Sequence, residues 1–170
     1  MRRVPTAPLD EQVDLLEVLT RRYYRNRALG AFTVDDVQGS RLVSAPFSSD
    51  GRRVWVVTAF VSIDQLVSGV AAVAEWSARR AESELVLVDL HAIGPATAGG
   101  EHPAAGAAHL AGVLGDALAA TVMPDTVHRL VLAAARPGVE RAMSAVDLVT
   151  MQRTNGAASA EPAFVEDESL

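Results

Sequence analysis

Apolar residues recur at intervals of three and four near the start of the chain. Leu9, Val13, Leu16, Leu19 and Tyr23 form one stripe, the period of an amphipathic helix, here predicted over residues 8–27. Asp10 and Glu11 stand in its first turn, and Arg21, Arg22, Arg25 and Arg27 in its last. Each end thus opposes the helix macrodipole, and Gly30 supplies a stop. The period then shortens to two. Residues 31–37 and 41–47 read as strands around a turn at Gln38-Gly39-Ser40, and Ser48-Ser49-Asp50-Gly51 reads as a hairpin loop into a third strand, Arg52–Phe60. Pro46 has no N–H to give a ladder, which predicts that the second strand stays away from the sheet centre. From Val54 to Phe60 both alternating faces are apolar, the pattern of a strand covered on both sides.

Ser62 and Gln65 have capping-box spacing: the Ser hydroxyl accepts from the Gln65 N–H while the Gln side chain reaches back, with Val61 and Leu66 as a hydrophobic staple. The helix they open carries Ile63, Leu66, Val67, Val70, Val73 and Ala74 on one face and ends near Arg79-Arg80. A second buried strand is predicted over residues 84–91, a loop over 94–103, a helix over 105–122 and a strand over 127–134. Pro137-Gly138 opens a short helix to about Met143, and residues 146–151 form one more strand. From Thr154 the chain turns small, polar and acidic, which predicts a flexible tail. The result is one α/β domain, residues 1–153, with an N-terminal helix, a β-hairpin and two β-α-β crossover units in a mixed sheet, followed by an acidic tail over 154–170.

Composition subtracts functions. The chain has 170 residues and is 49% hydrophobic, enough for one domain with a real core. It has no Cys, which removes disulfides, thiolate catalysis and cysteine metal sites. All 15 cationic residues are Arg, so an amine-dependent Schiff base, a phosphate-loop Lys and a biotinyl or lipoyl attachment are excluded. A net charge of −6 argues against non-specific nucleic-acid binding. No apolar run has the length of a membrane span, and Met1-Arg2-Arg3-Val4-Pro5 leads into no signal-peptide core, so a cytoplasmic protein without membrane contact is expected. Thirty Ala without Lys reflect the codon bias of a high-GC genome, and Ala-rich stretches carry little functional weight.

Asp89 and His91 are the foremost catalytic candidates. Two residues apart, they share one side of a strand near its C-terminal end, where open α/β sheets bind ligands. Glu101 and His102 in the following loop would complete a carboxylate–imidazole cluster for a metal ion or an acid–base pair. In the competing reading Asp89 caps the next segment and His91 lies at a solvated strand end. That reading weighs more, because no nucleophile or ligand spacing completes the site. His109 and Asp116 sit two turns apart on one helix, too far to share one ion, and His128 beside Arg129 is expected to face solvent. Ser48 and Ser49 lack a nucleophile-elbow setting, and residues 94–100 lack phosphate-loop spacing. Arg21-Arg22-Tyr23-Tyr24-Arg25 mixes cations with aromatics, but Tyr23 belongs to the apolar stripe, which favours a helix end packed on the sheet or gripping a partner protein.

Several segments, taken in order, resemble the central domain of multidomain acetyl-CoA and acyl-CoA carboxylases. Leu16-Glu17-Val18-Leu19-Thr20-Arg21-Arg22-Tyr23-Tyr24-Arg25 resembles the Leu-Glu-Val helix with paired Arg and Tyr that follows the biotin-carrier portion there. Residues 56–69 resemble that family's strand and acidic or amide-opened helix, and residues 84–92, the helix to Val122 and residues 128–135 its next strand, helix and strand. Val146-Asp147-Leu148-Val149-Thr150-Met151-Gln152-Arg153 is similar to its Arg-ended strand, without the usual aromatics, and Phe164-Val165-Glu166-Asp167 to its Phe-x-Glu-Asp. The likeness spans roughly residues 12–170. It implies a non-catalytic scaffold in fatty acid biosynthesis that holds biotin carboxylase, biotin carrier and carboxyltransferase components, with no cofactor, no metal and no catalytic residue of its own. Protein partners or self-association follow from the same likeness.

Overall fold

A computed structural model describes residues 9–24, 29–49, 51–80, 83–88, 103–135, 145–154 and 157–166. The first apolar stripe forms helix α1, Leu9–Tyr24. The strands that follow are β1, Thr33–Val37, β2, Ser40–Ser49, and β3, Arg52–Phe60. Gln38 and Gly39 have φ of +50° and +80°, the two positive values of a primed hairpin turn, whose twist matches that of its strands. A 3-10 turn, Ile63–Gln65, leads into α2, Leu66–Ala78. Then come β4, Ser83–Val88, α3, Pro103–Ala119, β5, Val127–Ala135, β6, Ala145–Thr154, and β7, Ala157–Glu166.

The fold is α/β, a single mixed sheet in the order β1-β2-β3-β4-β5-β6-β7. The pairs β3–β4 and β4–β5 are parallel and the other four antiparallel. The two parallel pairs are joined through α2 and α3, as the strand–helix–strand pattern predicts. Helices cover both faces. On one, α2 and α3 pack over Leu42, Val57, Leu85, Leu87, Leu130, Leu132, Val149 and Met151. On the other, α1 sets Leu15 and Leu19 against Val86, Val88, Val131 and Leu148, and Leu16 against Val43, Ala45, Val54 and Val56. All six residues of β4 are buried, as a central strand between two helical layers requires.

Three local expectations need correction and a fourth holds. The Ser62 hydroxyl makes no cap bond; the Gln65 N–H donates to the Ser62 carbonyl at 2.9 Å, so a 3-10 turn replaces the capping box while Val61 and Leu66 still share the core. Val67 is exposed and Gly69 is buried instead, because the buried stripe of α2 runs through positions 66, 69, 70, 73 and 76. The strand that carries Pro46 does stay away from the sheet centre, since β2 is second in the strand order. Pro46 lies past the end of β1, and its carbonyl accepts from the Gly30 N–H at 2.7 Å; since a strand residue's N–H and C=O share a side, its missing donor leaves the β2–β3 ladder intact. Residues 157–166, expected within a flexible tail, form β7 in ten paired positions with β6. The expected short helix after Pro137 lies outside the described residues.

Candidate functional site

The chain's two tryptophans meet where α2 ends above the first hairpin. Trp55 stands on the helix-covered face of β3 with Val57 and Ala59, because alternate strand residues share a side. Trp76 follows Val73 on the buried stripe of α2 and is 4% exposed. Their rings meet edge to face, with centroids 6.0 Å apart and planes at 76°, a favoured aromatic geometry. Arg80, just past the helix, anchors its N–H on the Ser77 carbonyl at 3.0 Å. Its guanidinium carbon lies 4.8 Å from the Trp76 centroid and 5.1 Å from that of Trp55. Arg53, two residues before Trp55 and so on the same face of β3, adds a contact at 5.2 Å. Each such contact contributes roughly 0.5–2 kcal/mol according to how far it is desolvated.

Around this stack runs a charged rim. The Trp76 indole N–H donates to Asp35 Oδ2 at 3.3 Å. Glu75 accepts from the Gln38 amide at 2.6 Å and from Arg79 at 3.3 Å. Between them opens a cleft of about 150 Å³, with Asp35 and Asp36 on one wall and Glu75, Trp76, Arg79 and Arg80 on the other. Ligand pockets for drug-sized molecules run to roughly 300–1,000 Å³, so this cleft admits one or two side-chain-sized groups. A guanidinium does not release its proton in a protein, so Arg79 and Arg80 are equipped to bind and orient charge rather than to relay protons.

A second polar cluster lies under α1 on the other face. Glu84, 4% exposed, accepts from Arg129 Nε at 3.2 Å, and the Arg129 guanidinium lies 4.7 Å from the Tyr23 ring. Glu84 and Arg129 are register partners on β4 and β5, so this cluster ties the end of α1 to the starts of two strands. Its geometry is that of a structural pin.

Of the residues singled out by sequence, Asp89, His91, Glu101 and His102 lie outside the described residues, as do residues 94–100. His109 and Asp116 are exposed on α3, and His128 is exposed at the start of β5. Arg129 is instead engaged with Glu84 and Tyr23. Tyr23 packs against the α1-side core, as its place in the stripe implies. Sequence reasoning passed over Trp55, Trp76 and Arg80. Their available signal was that each of only two tryptophans has an Arg two to four residues away.

No protein-family model matches the chain, and no curated protein matches it. Solved structures do, 18 chains in number. The structure is similar to the crystal structure of the central domain of yeast acetyl-CoA carboxylase, with a TM-score of 0.48 and 12% sequence identity over 82% of this chain and 24% of that one. The chain therefore spans about a quarter of the length of that solved structure.

Proposed function

We propose that the chain is a non-catalytic structural domain of an acyl-CoA carboxylase-like assembly, working in the cytoplasm to hold biotin carboxylase, biotin carrier and carboxyltransferase components in productive arrangement. The observation that carries this reading is one of order. The segments that resemble the carboxylase central domain fall, in that family's sequence, on α1, on β3 with α2, and on β4, α3, β5 and β6. Each segment is short; their succession along one sheet is what supports the assignment. The site described above is in keeping with a role in binding, since its stacked guanidinium and fixed carboxylates offer contacts to a partner.

The test is reconstitution. The chain, co-expressed with the biotin carboxylase, carrier and carboxyltransferase polypeptides of its own genome, is expected to elute with them in one stoichiometric complex, read by light scattering. A chain that elutes alone at its own 17.9 kDa beside assembled carboxylase would sink the proposal.

A further inference from the structure

We propose that the outer face of α3 pairs with the same face of a second copy of this chain, the two helices antiparallel and crossing at Gly112. The inference goes beyond the scaffold reading and needs no carboxylase component. Leu110, Leu114 and Ala117 turn α3 onto the sheet. That leaves His109, Gly112, Asp116 and Ala119 in line on the opposite side, all four exposed. His109 and Asp116 are the only ionisable residues of the helix. At about 1.5 Å of rise per residue they stand roughly 10 Å apart along the axis, too far to bond each other.

A twofold axis supplies each with the other. In a symmetric contact a residue that meets a second is met in turn by that second residue of the other copy. With the axis between Gly112 and Val113, perpendicular to α3, His109 of one copy stands level with Asp116 of the other, and the reverse holds across the axis. The imidazole N–H then donates to the carboxylate at both ends of the contact. A parallel pairing sets acid beside acid instead, so the charges select the antiparallel one. Glycine permits the approach. A Cβ at Gly112 or at Gly115 would meet nothing within 4 Å, so packing inside the chain does not ask for glycine there, although glycine weakens a helix relative to alanine. A crossing point without a side chain lets two backbones come close.

The test is the mass of the full chain by sedimentation equilibrium. Each copy carries a net charge of −6, so it is run at physiological salt, where like charges more than about 8 Å apart are screened. The average mass is expected to rise with concentration from 17.9 kDa toward twice that value. One helix pair makes a small interface, which sets the midpoint near ~100 μM. Gly112→Leu adds a side chain that the single chain accommodates in open space, so circular dichroism should show an intact fold while the midpoint rises at least about tenfold. His109→Asp sets acid against acid and should also raise it about tenfold, and adding Asp116→His restores the reciprocal pair and brings it back to within about twofold of the parent. A chain that stays at its own mass up to about 1 mM, an association indifferent to Gly112→Leu, or a double variant as weak as His109→Asp alone would each overturn the inference. A chain that pairs with itself but joins no carboxylase loses the assembly reading and keeps the α3 contact. One that joins the complex and never pairs with itself does the reverse.

Discussion

Replacing Gly69 with alanine sets helix propensity against packing, and the structure says which wins. Inside an exposed helix this change stabilises by about 1 kcal/mol, because alanine loses less backbone freedom on folding. At Gly69, however, a Cβ would lie 2.7 Å from Val61 Cγ1, 3.3 Å from Cγ2 and 3.4 Å from Cβ. Rotating Val61 cannot relieve this, since its branched side chain presents a methyl in nearly every rotamer. Nor can Val61 retreat freely: it is 6% exposed, and its N–H donates to the Val88 carbonyl at 3.0 Å. Overpacking of this kind costs about 1–3 kcal/mol, so Gly69→Ala is expected to lower stability by about 1 kcal/mol net. For a chain of this length that corresponds to a melting temperature lower by about 2–4 °C. The diagnostic comparison is Val61→Ala, alone and combined, followed by urea unfolding. With Val61 truncated the alanine at position 69 should become stabilising, a coupling of roughly 2 kcal/mol. A Gly69→Ala chain more stable than the parent, or simple additivity of the two changes, would refute the argument that close approach of α2 to Val61 decides this position.

Two further expectations concern polar groups under α1. Gln12 is fully buried with neither side-chain polar atom bonded, so Gln12→Leu, of similar volume, should raise the urea midpoint by an amount equivalent to about 1–3 kcal/mol; a lower midpoint would show that those atoms have partners in solution. Glu84→Ala strips the Arg129 pin of its carboxylate. With Arg129 about a third exposed, the loss should sit near ~2 kcal/mol, below that of a fully buried pair, and a melting temperature unchanged by the substitution would assign the pin no structural weight.

Strand β3 was legible to the residue because seven consecutive positions from Val54 are apolar or β-forming, and α1 because its stripe has a single period. The mixed sheet followed from the alternation of strands and helices. Strand β7 was not legible. Ala157–Glu166 is rich in small residues, four alanines and a serine, with one proline and two acids, a composition that forms a strand here because β6 templates it and its small side chains let α3 pack close, with Ala160 against the core. Pro162 is tolerated since β7 stands at the end of the sheet order. The turn before α2 shows the limit of local rules: the Ser62–Gln65 spacing marked the boundary, yet the backbone carbonyl rather than the hydroxyl serves the Gln65 N–H. The tryptophan site joins β1, β3 and α2. The Arg near each tryptophan was a local signal, but the meeting of the two rings is made between elements that come together only on folding.

The outermost strands share one trait. β1 exposes Asp36, with Asp35 beside it, and β7 exposes Glu161 and Pro162. Two copies brought flank to flank would set anions against anions, and the proline would spoil any shared ladder. The sheet is thereby guarded from concatenating into fibres, and a guest strand that adds to it must bring positive charge of its own.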